Sequence, residues 1–143
     1  MAVVILDEPV VMATYGQLAP EGTLDELTGP KYNNLTFDVV GYGVQDWRPV
    51  LRADLVRYWA TPKRLTENSA TVGDNYIVHS ENNGVVNNGG SCNGDSGGPI
   101  FLAGSNVIVG VTSWGIDPNC AGPGFGYRTD IAESLDFLDL YRP

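Results

Sequence analysis

One ten-residue stretch limits what this chain can fold into more than any other: Gly90-Ser91-Cys92-Asn93-Gly94-Asp95-Ser96-Gly97-Gly98-Pro99. Its glycines open backbone conformations closed to other residues and let a second segment approach closely, which makes the stretch a tight loop. The loop carries a serine between glycines, behind an acid and four residues after a cysteine. Such a loop can aim the N–H groups of Gly94 and Ser96 at one point in front of the Ser96 hydroxyl, the arrangement that holds a developing oxyanion. Pro99 ends the loop without donating a hydrogen bond. Ile100-Phe101-Leu102 then reads as a strand.

A bare G-x-S-x-G pattern also fits the nucleophile elbow of α/β-hydrolases. That elbow opens a helix, and its acid and histidine follow the serine. Here a strand follows, and no histidine occurs after Ser96. The six-residue string Gly94-Asp95-Ser96-Gly97-Gly98-Pro99 instead resembles the active-site serine loop of the trypsin/chymotrypsin-like serine proteases. The resemblance implies an all-β fold of two barrels, represented here by the C-terminal six-stranded barrel and a C-terminal helix. It implies a serine-type endopeptidase, with Ser96 as nucleophile and Gly94 contributing to the oxyanion hole.

Further roles follow from the same resemblance. Cys92 and Cys120 form a disulfide across the substrate pocket, which would stabilise by about 3 to 4 kcal/mol and implies an oxidising compartment, hence secretion. Two reduced buried cysteines are the alternative. Asp95 resembles the buried aspartate that pairs with a new amino terminus after zymogen cleavage; left buried and unpaired it would be costly, and the loop would relax. Gly90, Ser91 and Asn93 line the substrate pocket, and Ser113-Trp114-Gly115 forms the edge that pairs with an extended substrate. Gly90 stands where the family places its specificity residue. A neutral floor there predicts apolar or small substrate side chains, unless a carboxylate reaches the pocket from another wall.

Composition agrees with this class. Eighteen glycines and nine prolines in 143 residues favour a turn-rich all-β chain of one domain or slightly more. The net charge of −9, from eight Lys+Arg against seventeen Asp+Glu, argues against nucleic acid or an anionic membrane as partner. No apolar run approaches the length of a membrane span, and no signal peptide is visible in the opening run Met1-Ala2-Val3-Val4-Ile5-Leu6.

Residues 1–10 resemble the last strand and charged-Pro-Val turn of a first barrel, with Val3 to Leu6 as a buried strand. Residues 11–34 read as an inter-barrel connector, and the Asn34 sequon as an unmodified turn. Residues 35–143 read as the C-terminal barrel with its terminal helix. Within it, Leu35 to Val40 alternates as a half-buried strand and runs into Gly41-Tyr42-Gly43, similar to the family's Gly-aromatic-Gly. Leu51 to Tyr58 reads as one bent strand with a phase shift at Val56. Thr61 to Ala70 reads as loop, Tyr76-Ile77-Val78 as a short strand, and Glu81 to Gly90 as a flexible loop. Ile100 to Leu102 and Val107 to Trp114 form a hairpin, and Cys120 to Tyr127 resembles the pocket's back wall and final strand. Asp130 and Glu133 are placed to cap a helix whose apolar face is Ile131, Leu135 and Leu138.

The sole histidine, His79, lies in a polar context without metal-ligand spacing; an exposed loop histidine is expected. No cofactor and no metal are implied. The family mechanism needs a histidine base and an orienting aspartate, and family order puts both before the serine, upstream of Met1. Loss of the base costs roughly 10⁶ in turnover in such enzymes. The expectation is a serine endopeptidase seen as its C-terminal part, nearly inactive alone, acting on polypeptides and partnered by the preceding barrel. The alternatives are a trypsin-fold binding module without catalysis and a non-functional gene fragment that exposes the apolar face left by a missing barrel.

Overall fold

The computed structural model describes residues 1–46, 50–66, 72–82 and 89–142. One antiparallel sheet dominates it. The strands are β1 (Gln17–Leu18), β2 (Phe37–Gly41), β3 (Tyr58–Ala60), β4 (Arg64–Thr66), β5 (Tyr76–Ser80), β6 (Pro99–Leu102), β7 (Val107–Gly115) and β8 (Pro123–Arg128). Among the described residues two short α-helices accompany them, α1 (Thr23–Glu26) and α2 (Ala132–Asp139), with one 3-10 turn at Pro30–Tyr32. Along the sheet the order is β3-β2-β6-β7-β8-β5-β4, with β1 joining β7 in parallel.

The sheet curls until its two ends meet. Thr36 bridges Lys63; Phe37 N–H donates to the Pro62 carbonyl at 3.0 Å and Arg64 N–H to the Leu35 carbonyl at 2.8 Å. The chain bends between β3 and β4, at Thr61 and Pro62, so that β3 borders one end of β2 while β4 borders β5. This is the expected barrel, though the bend falls later than the predicted one. Residues 51–56 form no strand beyond a single Asp46–Arg52 bridge, and β4 lies in the stretch read as loop. Residues 67–70 of that stretch, and 83–88 of the predicted flexible loop, fall outside the described residues.

The core follows from alternation. In β2 the side chains of Phe37 and Val39 are buried and those of Asp38 and Val40 half-exposed. Phe37 and Val39 meet Ile77, Ile100 and Val109 from the facing strands, together with Leu24 and Ala19 from the connector. Each large apolar side chain buried this way contributes roughly 1.5 to 3 kcal/mol. β5 differs: Ile77, Val78, His79 and Ser80 are all buried, so both its faces are covered. His79 is therefore a wholly buried strand residue, not the exposed loop residue expected.

Two other expectations are corrected. Residues 1–15 contain no strand, and Val4 and Ile5 are 82% and 76% exposed, so Val3 to Leu6 is not buried; nothing among the described residues offers that run a strand partner. Asp130 does not cap α2, whose N-cap is Ile131 without a side-chain bond. Its carboxylate instead accepts the Leu24 N–H of α1 at 2.8 Å and both Nε and Nη2 of buried Arg128 at 2.9 Å. Arg128 also reaches Asp25 at 2.9 Å, and its carbonyl accepts the Ser134 hydroxyl of α2 at 2.7 Å. Burial lowers the guanidinium's proton affinity, but Asp130 and Asp25 outweigh it and the net shift is upward. One buried cation thus pins the connector and the terminal helix to the barrel.

Candidate active site

The glycine loop between residues 90 and 98 sits where β6 begins and β7 ends. Its shape comes from backbone conformations that only glycine adopts readily, Gly94 at φ +100° and Gly97 at φ +88°. Asp95 N–H returns to the Cys92 carbonyl at 3.0 Å, and Gly98 N–H to that of Asp95 at 2.9 Å. Gly97 N–H and the Gly98 carbonyl pair with Thr112 of β7 at 2.8 and 2.9 Å. These bonds leave the Gly94 and Ser96 N–H groups without a hydrogen-bond partner among the described residues.

Asp95 lies beneath the loop and braces it. Its Oδ1 accepts the Gly43 N–H at 2.7 Å and its Oδ2 the Cys92 N–H at 2.8 Å. The predicted Gly41-Tyr42-Gly43 stretch thus meets the predicted serine loop. A Cβ on Gly43 would stand 2.7 Å from this carboxylate, so the approach requires glycine. Asp95 is not the unpaired acid whose strain would relax the loop.

Ser96 is exposed, and its hydroxyl donates to the Ser113 carbonyl at 3.2 Å. This bond brings together the predicted nucleophile and the predicted binding edge. Trp114 and Gly115 pair with Phe125 and Gly124 of β8 on one side. On the other side β6 stops pairing at Pro99–Val111, so Ser113–Gly115 leaves an edge open. Trp114 is partly exposed and stacks on Phe125, ring centroids 4.0 Å apart. A cleft of about 660 Å³ lined by Tyr42, Trp59, Ser96 and Phe101 opens beside the hydroxyl. Asn93 is exposed on the loop, and Cys92 is bonded to Cys120 with Cα atoms 5.4 Å apart.

The inner side of the loop holds residues that the sequence did not single out. Gly90 packs so closely that a Cβ there would stand 2.6 Å from the Ser80 carbonyl oxygen. No side chain fits at that floor. Directly after Ser80 comes Glu81, only 6% exposed, which lines a cavity of about 360 Å³ together with Gly90, Ser91, Asp95 and Ala121. Its carboxylate fills the gap left by two glycines that face each other across β7 and β8, Gly115 and Gly124. A Cβ on Gly124 would lie 2.6 Å from Glu81 Oε1, and one on Gly115 2.8 Å from Oε2. Buried Ser91 donates to Glu81 Oε1 at 3.2 Å, and its oxygen lies 3.5 Å from His79 Nε2. Glu81 Oε2 and His79 Nδ1 have no partner among the described residues.

Gly90 itself adds no charge, and a carboxylate enters beside it from the end of β5, the other-wall case that the sequence left open. Burial pushes the Glu81 carboxyl up to about 7, partly offset by the Ser91 hydroxyl and reinforced by Asp117 and Asp95. Burial likewise pushes His79 down to about 4, so it stays neutral near pH 7. His79 contacts Ser91 on the inner side of the loop, whereas the Ser96 hydroxyl is bonded to Ser113, so the imidazole is not its base. The signal that could have found this cluster is the facing pair Gly115 and Gly124, a hole that some neighbouring strand must fill. Among the described residues no group of three His, Cys, Asp or Glu side chains is placed to hold a metal ion, and no helix is long and apolar enough to cross a membrane.

Comparison with known proteins places this geometry. Hypodermin-A of Hypoderma lineatum is 51% identical over 43 residues, 29% of this chain and 15% of that protein. Trypsin-1 of Astacus astacus is 41% identical over 51 residues, 34% of this chain and 21% of that protein. Human heparin binding protein superposes with a TM-score of 0.67 at 22% identity, covering 96% of this chain and 56% of its own. HL collagenase does so with a TM-score of 0.61 at 20% identity, covering 87% and 51%. The chain spans about half the length of these solved structures, and its matched stretches about a fifth or less of the curated relatives. The model of the family described as Trypsin matches residues 1–138, and the chain belongs to that family.

Proposed function

We propose that this chain is the serine-bearing part of a secreted serine endopeptidase. Ser96 is the nucleophile, and the Gly94 and Ser96 N–H groups bind the oxygen of the tetrahedral intermediate. The observation that carries the reading is the pair of unpartnered backbone donors beside an exposed serine hydroxyl, on a loop braced by the Asp95 carboxylate. Donors fixed in advance at the point where charge develops are worth about 10² to 10³ in rate each. The open edge at Ser113–Gly115 supports binding of an extended polypeptide by strand addition. The disulfide supports an oxidising, extracellular setting.

A serine hydroxyl is a poor nucleophile without a base. His79 is buried against Ser91 and does not face Ser96. In this reading the histidine and aspartate come from a segment outside the 143 residues, and the run Val3 to Leu6, without a strand partner among the described residues, would pair with it. Asp95, with its two N–H bonds, sits where a new amino terminus could add a third partner. The 143 residues alone are then expected to turn over substrate roughly 10⁶-fold more slowly than the completed enzyme.

The test is a fluorophosphonate probe applied to the chain expressed together with its upstream reading frame. Labelling on Ser96, abolished in Ser96→Ala, is the expected result. A longer product that stays unlabelled, and whose upstream segment carries no histidine, would make the fold a binding module.

A further inference from the structure

The site described above leaves one sequence motif unused, Asn34-Leu35-Thr36. Along the chain it reads as an ordinary turn; the fold adds four observations. Asn34 is exposed, in the turn between Pro30–Tyr32 and β2. Its side-chain amide has no hydrogen-bond partner among the described residues. The residue after it is tied down: Leu35 N–H donates to the Tyr32 carbonyl at 2.9 Å, and the Leu35 side chain packs against the core. A group attached to Asn34 therefore projects from the surface without displacing the barrel wall. Finally, Thr36 bridges Lys63 where the sheet closes. The same antiparallel register, continued two steps, leads to Asn34 and to Leu65, an apolar side chain 53% exposed on end strand β4.

We propose, resting on the secreted reading given above, that Asn34 is a glycosylation site and carries an N-linked oligosaccharide that covers the barrel seam at Leu65. The residue between the asparagine and the threonine is leucine and not proline, as the acceptor motif requires. The Cys92–Cys120 bridge supports folding in an oxidising compartment, which in eukaryotic cells is also where such sugars are attached. In the transfer, the Asn34 amide nitrogen attacks the anomeric carbon of an oligosaccharide held on a lipid diphosphate. The new C–N bond replaces the C–O bond to the diphosphate, which leaves with its electron pair, and the amide gives up one proton. In the folded barrel Thr36 is half-buried and paired with Lys63, and its carbonyl accepts the Ala103 N–H at 3.3 Å. The motif is open to a transferase only before the barrel closes, so attachment precedes folding. The sugar also stays clear of the serine loop. From Thr36 the chain runs along β2 to Gly41, roughly 16 Å at the usual strand rise, before Gly43 meets Asp95. What it covers is an end strand. β4 pairs with β5 on one side and meets β2 at the Thr36–Lys63 bridge on the other. Exposed strand edges with apolar side chains invite pairing with other chains, and a bulky polar cap blocks that approach.

Expression of the 143-residue chain in insect cells, behind an added secretory leader, tests this. The expected product has an increase in mass that peptide-N-glycosidase removes, leaving aspartate in place of Asn34 in the peptide map. Asn34→Gln and Thr36→Ala should each abolish the increase, and Thr36→Ser should keep it. Because transfer precedes folding, chain retained in the cell is assayed beside secreted chain, so a product that folds poorly still reports. A parent chain whose mass is the same before and after the glycosidase in both fractions overturns the proposal, as does a sugar that persists in Asn34→Gln. The covering role is read by light scattering on slow heating. Removing the sugar should shift aggregation of the parent to lower temperature and should not shift that of Leu65→Ser. An equal onset in the parent with and without its sugar removes the covering role. Fluorophosphonate labelling of Ser96 in the longer protein separates this proposal from the reading it rests on. Labelling without a sugar leaves the endopeptidase and removes the glycosylation site. A sugar without labelling leaves the glycosylation site and removes the nucleophile.

Discussion

Two carboxylates flank one loop and are treated in opposite ways. Asp95 has both oxygens engaged by backbone N–H groups, from Gly43 and Cys92, at 2.7 and 2.8 Å. Glu81 is more deeply buried, has one oxygen held by Ser91 and leaves the other without a partner among the described residues. A charge satisfied by fixed dipoles stabilises the structure around it; a buried carboxyl left half-satisfied costs free energy. The Asp95 side is therefore braced on both oxygens, and the Glu81 side on one.

Cys92 belongs to both sides, and its removal should have the largest effect on stability. Its N–H holds Asp95, and its sulfur ties the loop to Cys120, just before Gly122, whose carbonyl accepts the Glu81 N–H at 2.8 Å, and Gly124 of β8, which packs on the Glu81 carboxylate. Replacing both cysteines by serine frees a 28-residue span. On the loop-entropy argument the cost is about 3.5 kcal/mol, readable as a lower urea midpoint at unchanged slope. A loss confined to a few tenths would mean that the two sides are coupled through the sheet and not through the bridge.

Next in size is Asp95→Ala. It leaves two N–H groups of the loop and its neighbour without acceptors, a loss of roughly 3 kcal/mol for two hydrogen bonds to a charged group. Asp95→Asn retains a carbonyl oxygen for one donor and should lose about half as much. If the alanine variant unfolds at the same urea concentration as the parent, Asp95 does not brace the loop, and the contrast with Glu81 fails. Ser96 labelling should decline with the same ranking, because the oxyanion donors are adjacent residues of that loop.

The sequence exposed the Asp95 side and concealed the Glu81 side for physical reasons. The serine loop must use glycine at Gly94 and Gly97, where φ is positive, and the segment that meets it must use glycine at Gly43, where the Asp95 carboxylate comes close. Constraints on the backbone leave residue-type signatures that survive in a linear reading. Phe37 and Val39 were legible through alternation, because one face of β2 is core, and the β6–β7 hairpin through two apolar runs around a turn. Glu81 is fixed only by three-dimensional register: β5 pairs His79 with Gly124, and β8 pairs Gly124 with Gly115. In sequence it stands among Ser80, Asn82 and further polar residues and looks like a solvated loop. The same polar context made His79 look exposed, although Ile77 and Val78 already carry the strand into the barrel wall. The misplaced helix cap has a like cause. Asp130 is spaced correctly for α2, but buried Arg128 two residues earlier outcompetes a helix terminus for its carboxylate.

The net effect in the parent is the smallest, because two opposing slopes cancel, and the single variants make it the most diagnostic. Glu81 binds its proton more tightly folded than unfolded, about 7 against 4.5. Between those values the folded chain keeps a proton that the unfolded chain has released, so stability falls as pH rises from about 4.5 to about 7 and then levels. His79 runs the other way, about 4 folded against 6.5 unfolded. Between those values the unfolded chain holds the extra proton, so stability rises as pH climbs through that window. In the parent chain the two slopes oppose each other over roughly pH 4.5 to 6.5, the overlap of the two windows. Glu81→Gln should unmask the histidine's slope, with its advantage over the parent growing from pH 4.5 to 7 and constant above. His79→Gln should do the reverse, gaining on the parent as pH falls from 6.5 towards 4. The double variant should follow neither slope. Urea midpoints measured across pH 4 to 8 decide the matter. A Glu81→Gln curve that stays parallel to the parent throughout would mean that this carboxylate is solvated, and that the two flanks of the serine loop are built alike.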